Sequence, residues 1–84
     1  MYTINTPEQL HVARDVLGYY SLPGGYMPGA FTGAMIRLLE VADTLKRVRI
    51  LGAFPEFIPA IHILTADGGE ALVEAVKAAG KQLA

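Results

Sequence analysis

Two prolines and three glycines fall within residues 22–29, Leu-Pro-Gly-Gly-Tyr-Met-Pro-Gly, and no helix or strand can run through such a stretch. The chain must therefore be built in at least two pieces around an irregular connection. On both sides the apolar residues recur at helical spacing, and alternating apolar–polar runs are nearly absent, so the pieces are helices. The break itself carries Leu22, Tyr26 and Met27, which are unusually apolar for a loop. Two arrangements accommodate them. They fold back as an ordered lid, because apolar satellites of a core commonly form under long loops, or they face a partner.

Before the break, Thr6-Pro7-Glu8-Gln9 reads as a helix start, with Thr6 as cap, Pro7 in the first turn and Gln9 closing a capping box. Leu10, Ala13, Val16, Leu17 and Tyr20 then point inward, leaving Glu8, His11, Arg14 and Asp15 towards water. After the break, Phe31, Ala34, Met35, Leu38 and Ala42 line one face of a second helix, widened by Leu39 and Val41. A stripe this broad is expected at the centre of a bundle, and Gly33 is expected where another helix comes close. Asp43 caps a third helix with Leu45, Val48 and Leu51 inward. Pro55 opens a fourth, which Pro59 either kinks or delays, with Phe54, Phe57, Ile58, Ile61 and Leu64 on its apolar side. Asp67-Gly68-Gly69-Glu70 reads as a further capping box before a last helix with Leu72, Val73, Val76, Ala79 and Leu83 inward. The expected fold is all-α: a compact bundle of about five short helices, about 7–20, 29–42, 44–53, 55–65 and 68–83, in a single domain over residues 1–84.

Composition narrows the function classes. There is no cysteine, which removes disulfides, thiolate metal sites and cysteine nucleophiles together. The net charge of −1 gives no global attraction to nucleic acid or anionic lipid. Residues 16–36 are free of charge, but their prolines and glycines would leave backbone groups unsatisfied in lipid, so no membrane span is expected. The N-terminus lacks the basic and apolar regions of a signal peptide, and a cytoplasmic location is the expectation. Hydrophobic residues make up 52% of the 84 and charged residues only 18%, against a usual charged share of about 25%. A domain so small and so apolar is expected to present part of its apolar surface to another chain.

The residues that carry chemistry are sparse. His11 and His62 form no His-x-x-x-His pair, and Glu8 with His11 gives one Glu-x-x-His on a wet face, where a di-metal bundle needs two facing inward. Ser21, the sole serine, lacks a nucleophile elbow. Glu40 with Asp43, and Glu70 with Glu74, read as capping and solvation. Gly24-Gly25 and Gly68-Gly69 match no phosphate-loop pattern. No catalytic residue, metal ligand or cofactor is assigned, and no enzyme is expected. Tyr19, Tyr20, Leu22, Tyr26, Met27, Phe54 and Phe57 form the expected partner-binding set, for Tyr, Phe and Met anchor interfaces. The alternative is a small DNA-associated regulator using Arg37, Lys46, Arg47 and Arg49, although the apolar Val48, Ile50 and Leu51 leave few side chains free for base edges.

The runs Pro28-Gly29-Ala30-Phe31-Thr32, Ala42-Asp43 and Ala53-Phe54-Pro55-Glu56, with the Thr6-Pro7-Glu8-Gln9 start, resemble small proteins of unknown function encoded by tailed phages of mycobacteria and related actinobacteria. That resemblance implies a small accessory protein in the bacterial cytoplasm during infection, and it brings no catalytic or binding residues with it. The function expected is a non-enzymatic interaction module that self-associates or binds a host protein.

Overall fold

Residues 2–83 are described by a computed structural model, and they form five helices with short connections. In order these are α1 (Pro7–Tyr19), α2 (Ala30–Val41), α3 (Thr44–Ala53), a 3-10 turn (Pro55–Phe57) running into α4 (Ile58–Asp67), and α5 (Gly69–Leu83). The first helix starts as its residues dictate. The Gln9 amide donates to Thr6 Oγ1 at 3.1 Å, and the Thr6 amide donates back to Gln9 Oε1 at 3.2 Å. Asp43 caps α3 by accepting from the Lys46 amide at 2.9 Å. Pro59 delays α4 without kinking it: a 3-10 turn fills 55–57, and the proline then occupies the first turn, where its missing N–H costs nothing.

The bundle is organised around α1. It packs against α2, α4, α5 and the 3-10 turn, and α4 with α5 completes the tightest layer. Ala13, Val16, Leu17, Ile36, Ala60 and Leu72 are wholly buried there. The expected central position of α2 is thus a misreading. Among the larger contacts α2 touches only α1, and α3 touches only the 3-10 turn. The inward side of α2 is Met35, Ile36 and Leu39, while Phe31, Ala34, Leu38 and Val41 face out. In α3 only Leu51 is buried, with Ile50 half-buried, and the expected inward Leu45 and Val48 are exposed. Both helices are apolar around much of their circumference. Periodicity therefore finds the stripe without fixing which arc meets the core.

Three local expectations also change. Asp15 was assigned to water but is buried, because neighbours wrap more of α1 than a surface helix would have covered; its carboxylate lies 3.5 Å from His11 Nε2. Asp67 does not cap α5. It is the last residue of α4, and Gly68 makes the turn at φ 95°, a backbone angle that glycine adopts without the Cβ penalty. Gly33 has open space where a Cβ would stand, so no helix of this chain approaches it.

Candidate interaction surface

The connection from α1 to α2 is stitched to the end of α1 by main-chain bonds. Ser21 N–H donates to Gly18 O at 3.1 Å, Leu22 N–H to Leu17 O at 2.8 Å, and Tyr26 N–H to Arg14 O at 3.0 Å. The close approach needs glycine on both sides. A Cβ on Gly18 would overlap the Tyr26 carbonyl, and one on Gly25 would overlap the Gly18 amide. Ser21 takes a positive φ of 57° to let the chain double back. Leu22 seats its side chain beside Gly69 at the start of α5, and the Arg14 guanidinium lies 5.4 Å from the centre of the Tyr26 ring. Backbone and Leu22 thus form a lid, while Met27, at 91% exposure, faces solvent.

The two adjacent tyrosines converge on one carboxylate. Tyr20 Oη donates to Glu40 Oε2 at 2.7 Å and Tyr19 Oη to Glu40 Oε1 at 3.2 Å, with the rings edge to face at 4.9 Å. This contact ties the end of α1 to the end of α2. Desolvation raises both phenols above their ordinary value, and the hydrogen bond to Glu40 and its negative charge push the same way; for Tyr19 the Arg37 charge opposes the rise. Glu40 was expected only to solvate its helix end. Its role was invisible in the sequence, because its partners lie some twenty residues away.

The seven residues expected to bind a partner do not form one surface. Phe57 is 2% exposed and belongs to the core. Phe54 is half-buried and sets its ring edge-on to Phe31 at 5.8 Å. Tyr19 and Leu22 pack against the core, leaving Tyr20, Tyr26 and Met27 as the exposed members. The larger exposed apolar surface lies elsewhere. Phe31, Leu38 and Val41 on α2 and Leu45 and Val48 on α3 are each about half to two-thirds exposed, from 46% to 68%. Sequence reading placed most of this stripe in the core.

The basic cluster is also partly committed. Arg47 is half-buried and donates to Leu39 O at 3.1 Å, its Nε is buried without a partner, and it lines a small cavity of about 90 Å³ with Tyr20, Glu40 and Thr65. Lys46 Nζ stands 3.8 Å from Asp43, the cap of its own helix, so Arg37 and Arg49 are the exposed members with no such contact. A separate cleft of about 560 Å³ lies between the N-terminal segment and α4–α5, lined by Ala71, Ala75 and Ala78 with Tyr2, Asp67 and Glu74. The alanine spacing on α5 was the only trace of it in the sequence. Among the described residues no group of three or more His, Asp or Glu side chains comes together as a metal site. No single helix among them is long and apolar enough to cross a membrane; α3 and residues 55–67 pass that test only together, and the pair is bent by 111°.

No protein-family model, curated protein or solved structure matches the chain.

Proposed function

We propose that this protein is a non-enzymatic module that works by binding protein, through the apolar face of α2 and α3 rather than through the tyrosine cluster. One observation carries the reading: among the described residues, five large apolar side chains of two consecutive helices stand 46% to 68% exposed. Contiguous apolar surface on a small domain marks a contact site, since leaving it in water forgoes about 25 cal/mol for every Å². The poverty of reactive groups points the same way. His11 with Asp15 is the one imidazole–carboxylate contact among the described residues, and Ser21 is held in a turn six residues further on. The binding partner is a second copy or a protein of the host cytoplasm, the setting that the phage resemblance implies.

Capture from a mycobacterial extract, run beside gel filtration of the pure protein, tests this reading. The protein is expected to retain a partner or to elute as an oligomer, and Leu38→Glu with Val48→Glu is expected to abolish both without loss of helical circular dichroism. A protein that does neither, or whose binding is untouched by the double substitution, contradicts it.

A further inference from the structure

The cleft between the N-terminal segment and α4–α5 shares no residue with the α2–α3 face, and its shape follows from the sequence of α5. Ala71, Ala75 and Ala78 stand four and then three residues apart, which puts them on one side of the helix. Side chains this small leave open the space that a leucine or valine would fill. The buried Ile4 and Ile63 add to the apolar lining. The volume of about 560 Å³ falls within the roughly 300–1,000 Å³ of small-molecule sites, in which an apolar wall holds the ligand and a few polar groups orient it. Three walls, the N-terminal segment, α4 and α5, make it a recess for a small molecule and not a flat face for a protein.

The charged groups of this recess have one sign. Asp67 and Glu74 line it and, among the described residues, no Lys, Arg or His does. Glu74 already has a cation, Lys77 Nζ at 3.6 Å. Asp67 has no ion pair among the described residues, and with Tyr2 it also lines a smaller neighbouring pocket of about 220 Å³. The Tyr2 ring lies against His62, which lines only that smaller pocket, with centroids 4.2 Å apart, so an aromatic wall is held at the same two pockets as the carboxylate. A carboxylate and an aromatic face both attract an ammonium group, and the carboxylate repels an anion. Independently of the protein-binding face, we propose that the cleft binds a small organic amine. Its aliphatic body lies on the alanine floor and its ammonium group pairs with Asp67, with Tyr2 and Glu74 adding to the attraction.

Amide chemical shifts of the whole chain, titrated at constant pH and ionic strength with hexylamine, hexan-1-ol and hexanoate, test this. Hexylamine is expected to move the amides of Ala71, Ala75 and Ala78 saturably. Hexan-1-ol should move the same amides with about tenfold lower affinity, and hexanoate should leave them in place. Asp67→Asn should weaken hexylamine up to about fivefold, the upper range for an exposed ion pair, without altering hexan-1-ol. Ala78→Leu, at an exposed position, fills the floor and should weaken both ligands at unchanged helical circular dichroism. No saturable shift at the three alanines overturns the site. Hexanoate binding as tightly as hexylamine overturns the choice of an amine, and unchanged hexylamine affinity in Asp67→Asn overturns Asp67 as its partner. If Nα-acetyl-lysine methylamide binds more tightly than hexylamine, the amine belongs to a protein side chain and the small-molecule ligand is overturned.

Discussion

The two halves of this molecule use apolar residues differently. In α1, α4 and α5 they are spent on one another: Ala13, Val16, Leu17, Ala60 and Leu72 have no exposed surface, and even Asp15 is drawn inside. In α2 and α3 only Met35, Ile36, Leu39 and Leu51 are buried, while five equally large side chains stand outside. The glycines divide the same way. Gly18 is pressed against the Tyr26 backbone and Gly25 against that of Gly18, whereas Gly33 and Gly52 have open space where a Cβ would stand. One half is a finished core, and the other is built to the same chemical standard with its outer wall missing. Apolar content alone therefore does not measure how well a small domain is packed.

That contrast can be broken by matched substitutions. The largest effect is expected at Leu17→Ala, which empties a fully buried site and should cost about 3 kcal/mol in urea unfolding, whereas Leu38→Ala in dilute protein should cost under about 0.5 kcal/mol. Equal losses would mean that α2 is packed as tightly as α1. Gly18→Ala comes next. Its methyl group must push away the Tyr26 carbonyl and break the bond from Tyr26 N–H to Arg14 O, for an expected loss of about 2 kcal/mol. Gly33→Ala should have the opposite sign, a gain of up to about 1 kcal/mol, because the space is open and alanine favours the helix.

The smallest effect concerns the tie between the two halves. Tyr19 and Tyr20 are raised above 10.0 in the folded protein, so their contribution to stability is complete below that pH and falls as pH climbs beyond it, where the unfolded chain ionises first. Ultraviolet titration should show Tyr19 and Tyr20 ionising above 10.0, and Glu40→Gln should bring both back towards the ordinary range. Ionisation of Tyr19 and Tyr20 at 10.0 would contradict the Glu40 contact.

Much of this architecture is legible in the sequence. Thr6 with Gln9, Pro7, Asp43 and the break at residues 22–29 act through neighbours within four positions, so short-range rules locate them. What escaped depends on distant partners. Gly18 and Gly33 look alike in sequence, and only the path of the loop decides that the first is indispensable and the second idle. Glu40 shows no sign of two tyrosines beyond its own helix. Leu45 and Val48 sit at good core spacing, and spacing does not say whose core. The tyrosines drew attention as interface residues by type, yet two of them serve to fasten α1 to α2.

Residue-resolved amide exchange, followed over a wide range of protein concentration, tests the division between a finished core and an open face most directly. Protection in α1, α4 and α5 is expected to be high and independent of concentration. In α2 and α3 it is expected to be low in dilute protein and to rise where a partner, a second copy or a host protein, covers Phe31, Leu38, Val41, Leu45 and Val48. Uniform protection across all five helices, unchanged by concentration, would contradict the account.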